Sequence, residues 1–384
     1  MHRREWLRLF GGGLIAAATL PLVGCSSALP AEAIAAWQQP AASLDLRHWI
    51  LSHALLAPHS HNLQSWLVNL EIPDTILLRM DQHRLLPETD PFGRQMVMSQ
   101  GTFIEILAIA AQQRGYRAEV TPFPEGEFAA NQVDERPTAS IRLIADASLR
   151  PDPLFAQIFQ RRTNRSLYEA RDPDAKALLA IAASTAAYPV RCGFILSTEV
   201  NMARHRQIAN EAWRVELSTP RTLLESYKVL RVGPAEIAKH RDGLSLNDPF
   251  VRVLTATGLF DRSKASAPDS SEISGQIEKF QAKIAATPAF FWLVSERNDR
   301  HTQLQAGRAY VRAQLAATAF GLSMHPLQQA LQEYPEQRDN YTAIHRLLDA
   351  SQPGQTVQMW ARLGYAPAVE PAPRRGLAAH LSQA

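Results

Sequence analysis

Apolar residues recur three and four positions apart through "LDLRHWILSHALLA", from Asp45 until Pro58 interrupts them, and this spacing predicts a helix. Two runs rich in β-branched and alternating apolar residues follow, "WLVNLEI" and "TILLRM", and read as strands. The stretch "RQMVMSQGTFIEILAIAAQQRGY" keeps helical spacing until Gly115, and "TASIRLIA" is a further strand.

At "RPDPLF" the pattern starts again. "PLFAQIFQRRTNRSLY" predicts a helical opening, and "AKALLAIAASTAAYPVRCGFIL" predicts a helix followed by a strand. Further on, "AFFWLVS" is a buried strand, "HTQLQAGRAYVRAQLAATAFGL" a helix closed by Gly321, and "TVQMWARLGYA" a terminal strand. In both parts a long helix runs into Gly-Tyr or Gly-Leu, so the chain is read as a duplicated unit. The expected division is a signal at 1–24, an Ala- and Pro-rich linker at 25–43, a first half at 44–150 and a second at 151–384. An excursion at about 219–272, with the polar run "DRSKASAPDSSE", is expected as a lid or a solvated helical insertion.

Composition adds a bound. A chain of 384 residues with 46% hydrophobic and 20% charged positions can bury a large core. Its net charge of +3 comes mostly from Arg3, Arg4 and Arg8, so the remainder is nearly neutral and nucleic acid is not an expected partner. Those arginines precede "GGGLIAAATLPLVG", which resembles a twin-arginine export signal. "LVGCSS" then resembles a bacterial lipobox with Cys25 as the lipid acceptor, although ordinary signal cleavage also suits a small residue before a polar one. The location this implies is the periplasmic side, with a lipid anchor on a membrane surface. Cys192, the other cysteine, has no partner for an internal disulfide once Cys25 is lipidated.

Metal chemistry is not supported by "HWILSHALLAPHSHNLQSW". His48 and His53 lie five apart on a helix and so face different ways, and no Cys, Asp or Glu between Ser52 and Asn69 completes a set with His59 and His61. Ser60 lacks both a nucleophile elbow and an acid to orient a base. The "RRTNR" string offers Arg161, Arg162 and Arg165 around Thr163, and "APRRGL" offers Arg374 and Arg375; paired guanidinium donors match phosphate oxygens, as they also suit a solvated basic face.

Together, "APHSHNLQSW", "DPFGRQMVMSQG", "RRTNR", "AGRAYVRAQLAATAFGLSMHPL" and "ARLGYAPAVEPAPRR" resemble the flavin-dependent nitroreductase family, and more closely its Acg-like, fused-dimer branch. The resemblance implies an α+β fold of two pseudo-symmetric halves, each a mixed, mainly antiparallel sheet flanked by helices, folded as a monomeric internal pseudo-dimer. It implies flavin mononucleotide (FMN) as cofactor. Arg161, Thr163 and Arg165, with Arg374 or Arg375, would hold its phosphate end; Pro58, His59, Ser60, Asn62 and Gln64 would border the ring and ribityl chain from the other half; and Ser323 lies in the stretch, Leu322 to Leu327, whose backbone passes along the ring. Near Asp45 only Arg47 stands where a second "RRTNR" would be, so one flavin per chain is expected. His59 stands where the family commonly has Ser, and Ser65 where it commonly has Pro; an imidazole at 59, neutral or protonated, is expected to alter what reaches the flavin and the charge near the ring.

The implied activity is alternating flavin reduction and reoxidation with a small organic substrate, and no catalytic side chain is required. An exported enzyme is separated from cytosolic nicotinamide, so a quinol or membrane electron donor is an alternative. So is a non-catalytic, flavin-sequestering lipoprotein.

Overall fold

The computed structural model describes residues 28–382; the expected signal and Cys25 lie outside them. The helices are α1 (Ala31–Ile34), α2 (Leu46–Ala54), α3 (Arg94–Gln113), α4 (Ala175–Thr185), α5 (Met202–Ser218), α6 (Pro220–Lys228), α7 (Gly233–His240), α8 (Pro249–Ala256), α9 (Ser271–Ala285), α10 (Arg300–Ala319) and α11 (Arg338–Leu347). The strands are β1 (Trp66–Asn69), β2 (Thr75–Met80), β3 (Tyr116–Pro122), β4 (Ala139–Ala145), β5 (Arg191–Leu196), β6 (Leu230–Val232), β7 (Leu244–Leu246), β8 (Ala289–Ser295), β9 (Ser323–Pro326) and β10 (Thr356–Gly364).

Two four-stranded sheets repeat one topology. The first runs β1-β2-β4-β3 and the second β5-β8-β10-β9, every neighbour antiparallel. In each, a 20-residue helix connects the second strand to the third: α3 in one half and α10 in the other. The fold class is therefore α+β with two equivalent halves. Strand β3 escapes the sequence reading because "YRAEVTP" mixes charged residues into a half-exposed ladder.

The halves meet where α3 crosses α10. A Cβ on Gly101 would fall 2.1 Å from the Leu304 carbonyl oxygen, and one on Gly307 would fall 1.9 Å from that of Met98. These contacts are reciprocal, as a two-fold relation requires, and only glycine lets the backbones approach so closely. Each helix is also built into the other half's core, with Leu304, Val311 and Leu315 packed in the first and Met98 in the second. Arg94 and Arg300 open the two helices at equivalent positions, and each is buried on backbone carbonyls of the opposite half.

Three features differ from the sequence reading. The excursion is longer than 219–272: it occupies the whole connection between β5 and β8, residues 197–288, where the first half turns from β1 to β2 in five residues. The "PLFAQIFQRRTNRSLY" segment forms only a 3-10 turn at Pro153–Gln157, after which Thr163 pairs with Met324 of β9, because backbone hydrogen bonds to a strand edge displace the helix. The expected linker is packed rather than free from Ala28 onward, with Ala33 fully buried. The chain's end crosses back as well: the Val68 and Ser382 amides bond the His380 and Val68 carbonyls, which fixes the second half's tail to the edge of β1.

Candidate functional site

The connection Leu55–Ser65 between α2 and β1 carries the densest strain in the molecule. His61, Asn62 and Gln64 all have positive φ, at 48°, 56° and 54°. Such backbone is disfavoured for non-glycine residues and persists only where surroundings fix it. Here α3 does so: the Thr102 hydroxyl donates to the Pro58 carbonyl at 2.6 Å, and the Ser60 amide donates to the Ser99 hydroxyl at 3.1 Å. The Ser60 hydroxyl reaches Gln95 at 3.3 Å.

His59 is not a variable charge. Its Nδ1 lies 2.8 Å from the Ser60 carbonyl, which only accepts, so that nitrogen carries the hydrogen; Nε2 then accepts from the Ser65 amide at 3.1 Å and the Ser65 hydroxyl at 2.7 Å. Burial pushes the imidazole down to about 3, with the nearby Arg374 and Arg375 acting in the same sense. The expectation that His59 alters charge near a ring is corrected on this point: it is a neutral clamp across its own loop. The two departures from the family pattern are thereby one feature, since a proline at 65 would lack the amide hydrogen that His59 accepts.

Arg161 and Arg374 arrive at this loop from opposite ends of the second half. Arg161 donates to the Leu56 carbonyl at 2.8 Å, while Arg374 donates to the Leu55 and Ala57 carbonyls at 2.8 and 2.9 Å and to the Asn62 side chain. Gln64 accepts from the Arg375 amide at 2.9 Å, and Asn62 and Gln64 donate to Gly243 and Arg241 of the excursion. Across the outside lies Trp37, whose ring stands 4.4 Å from the Arg162 guanidinium, 5.4 Å from that of Arg374 and 5.7 Å from that of Arg161. Its indole N–H donates to the Ala372 carbonyl at 2.8 Å. A lone tryptophan in an Ala-rich stretch was the one sequence signal for this contact, and nothing in the sequence pointed to Arg241 or Gly243.

The electrostatics of this corner are mostly one-sided: of its four guanidinium groups only that of Arg375 feels carboxylates, those of Asp242 and Asp81. No ion pair among the described residues involves Arg161, Arg162, Arg374 or Arg375. Burial lowers Arg161 to about 10, eased by the phenol of Tyr310, and it holds Arg374 well below its ordinary value, with Arg161 and Arg162 adding repulsion. Arg161 Nε, Arg375 Nε and the Tyr310 hydroxyl are buried without a partner. Cations buried on neutral carbonyls, with donors to spare, are incompletely compensated and suit a bound dianion. The residues present therefore fit a phosphate group.

The other predicted residues gather at one edge of this corner. Asn164 donates to the Ser323 hydroxyl at 3.3 Å and its amide bonds the Met324 carbonyl at 3.1 Å, so Thr163 and β9 lie side by side. Arg165 is exposed at this edge, and desolvation by the surrounding protein lowers its pKa below the ordinary value. His61, half-buried, is pushed down to about 4 by burial and then by the charge of Arg165.

The equivalent corner on the other side is built differently. There α4 passes to β5 through only five residues, 186–190, against eleven in the first half. Arg308 and Arg312 of α10 occupy it, and both bond the buried Glu105, at 2.8 and 2.9 Å, with Asp152 also 2.9 Å from Arg312. Burial opposes these charges, but Glu105 raises both guanidinium groups above their ordinary value.

Known proteins resemble this chain to a limited degree. No family model matches it. A Mycobacterium tuberculosis protein named "Putative NAD(P)H nitroreductase" is 27% identical over 346 residues, covering 85% of this chain and 88% of its own length. A second protein from that organism, named only as uncharacterized, is 32% identical over 120 residues, 30% of this chain and 34% of its own. Among solved structures, the FMN-dependent nitroreductase NfnB from Mycobacterium smegmatis in complex with NADPH is 17% identical, covers 59% of this chain and 96% of its own, and overlaps with a TM-score of 0.37. So small an overlap leaves the fold to be described from this chain's own strand pairing.

Proposed function

We propose that this chain is an FMN-dependent oxidoreductase of the nitroreductase type, working on a small organic substrate and holding one flavin per chain within a monomeric pseudo-dimer. The observation that carries the proposal is the convergence of Arg161 and Arg374, without a carboxylate, on the strained Leu55–Ser65 connection of the other half. The sequence similarity to a nitroreductase-named protein across 85% of the chain agrees with it. Bound flavin would supply hydride and electron transfer. The protein's part is to hold and shield: Arg161, Arg374 and Arg375 for the phosphate, Thr163 and Arg165 beside it, Asn62 and Gln64 as amide partners, and Pro58, Ser60 and Ser323 along its length. His59 keeps the loop shaped without contributing charge.

The twin-arginine-like start and Cys25 support placement on the periplasmic side with a lipid anchor, where a quinol or membrane protein takes the place of a nicotinamide donor. A flavin-sequestering role is the second reading, favoured by the bonds from Asn62 and Gln64 to the excursion, which close one side of the site. The test is an absorbance spectrum of the purified chain with phosphate analysis. One FMN per chain is the expected result, and a colourless protein that takes up no added FMN rejects both readings. Reoxidation of the reduced protein by a nitroaromatic separates turnover from sequestration.

A further inference from the structure

Beyond the arginine corner, a second carboxylate-free cationic group stands beside Arg165, whose neighbours Asn164 and Ser166 bond Met324 and Arg362. Arg362 of β10 is fully buried, and its partners are all neutral: the Thr287 hydroxyl at 2.7 Å, the Ser166 carbonyl at 3.1 Å and His325 Nδ1 at 3.3 Å. Its guanidinium lies 3.9 Å from the Tyr168 ring centroid. Because a guanidinium only donates, His325 Nδ1 is the acceptor and Nε2 carries the hydrogen. His325 is 9% exposed, and among the described residues that Nε2–H has no partner; it is also absent from the fully enclosed unpartnered atoms, so it is reached by solvent. Lys283 is linked to Arg362 through that hydroxyl, its carbonyl accepting from Thr287 at 2.9 Å. No ion pair among the described residues involves Arg165, Lys283 or Arg362.

We propose that Arg165, Lys283, Arg362 and the His325 Nε2–H form a binding site for a small organic carboxylate, and that this site makes the substrate of the proposed flavoenzyme an organic acid. The site rests on the flavin reading for its role, though not for its existence. Burial and the charges of Arg165, Arg362 and Lys283 hold His325 well below its ordinary value, which keeps it a neutral donor with the Nε2–H in place. Lys283 is lowered by burial and by Arg362 and Arg165, so an entering anion relieves repulsion that already exists. A neutral ligand of the same shape gains none of this. A fixed donor beside uncompensated cations is the arrangement that distinguishes a carboxylate from its amide.

Calorimetric titration of the purified full chain with benzoate and with benzamide tests the assignment. Benzoate is expected to bind about tenfold or more tightly than benzamide, with affinity falling as salt rises. Lys283→Gln, at a half-buried position, should remove most of that preference, and His325→Gln should weaken benzoate alone. Equal affinities for the two probes, or a preference untouched by Lys283→Gln, overturns the proposal. Flavin content is read from the same samples: a flavin-loaded protein that does not discriminate rejects the carboxylate site alone, and a flavin-free protein that still prefers benzoate rejects the flavin reading alone.

Discussion

Two corners of this molecule, related by the crossing of α3 and α10, hold arginines drawn wholly or partly out of solvent and treat them in opposite ways. On one side Arg308 and Arg312 share Glu105, with Asp152 beside Arg312. On the other, Arg161 and Arg374 rest on the carbonyls of residues 55–57 beneath Trp37, and no carboxylate approaches. Burial costs charge in both places, and only the first corner supplies its own counterion. An arginine count cannot separate a structural ion network from an anion site, whereas the partner inventory can. The short connection at 186–190 and its neutralised arginines also support one flavin per chain rather than two.

The largest expected effect comes from emptying the uncompensated corner. Arg161→Ala with Arg374→Ala should reduce FMN affinity at least about a hundredfold, read by flavin fluorescence on titration, because the charge-assisted phosphate contacts are lost. Because these arginines also bond the Leu55, Leu56 and Ala57 carbonyls, folding of the double variant is read by circular dichroism on the same samples, with Arg161→Lys and Arg374→Lys as the milder pair; unchanged FMN affinity would reject the assignment.

Glu105→Gln sharpens the contrast from the other side. It leaves the half-buried Arg308 and Arg312 without their shared carboxylate, with Asp152 still beside Arg312, and should cost about 2 kcal/mol of stability in chemical denaturation, with FMN content unaltered. Flavin loss at unchanged stability would mean the corners have been assigned the wrong way round.

A smaller change is expected from Trp37→Ala. Cation–π contacts contribute about 0.5–2 kcal/mol each, so FMN should dissociate several-fold faster in a stopped-flow chase, and Trp37→Phe should restore much of the difference. Identical off-rates would reduce Trp37 to a surface anchor for the tail.

The effect smallest at neutral pH, and growing only in acid, concerns His59. Its folded pKa of about 3 lies below the unfolded 6.5, so the unfolded chain binds the extra proton between those values. Stability linked to this residue is complete above 6.5 and declines as pH falls, by up to about 1.4 kcal/mol per unit. His59→Gln should flatten the acid limb by one proton without shifting the neutral plateau's flavin spectrum. His59→Ser alone should be destabilising, and adding Ser65→Pro should recover part of the loss; strict additivity would mean the two positions are not coupled.

Several parts of this architecture were legible in the residues. The equal 20-residue helices ending in Gly115 and Gly321 follow from periodicity and glycine punctuation, and strand β2 coincides with "TILLRM" because a buried strand announces itself by composition. The arginine strings, the 55–65 connection and the loss of a second "RRTNR" were equally visible, because residue type and order carry them. Tertiary structure alone decided which arginines find a carboxylate, since Glu105 meets Arg308 and Arg312 only when two helices more than 200 positions apart cross at their glycines. It turned a presumed linker into a cover, because Trp37 meets its guanidinium partners only after the tail has crossed onto β1. It also exposed the Nε2–H of His325, because Arg362 takes the other ring nitrogen, and hydrogen-bond direction there is set by a neighbour in space and not in sequence.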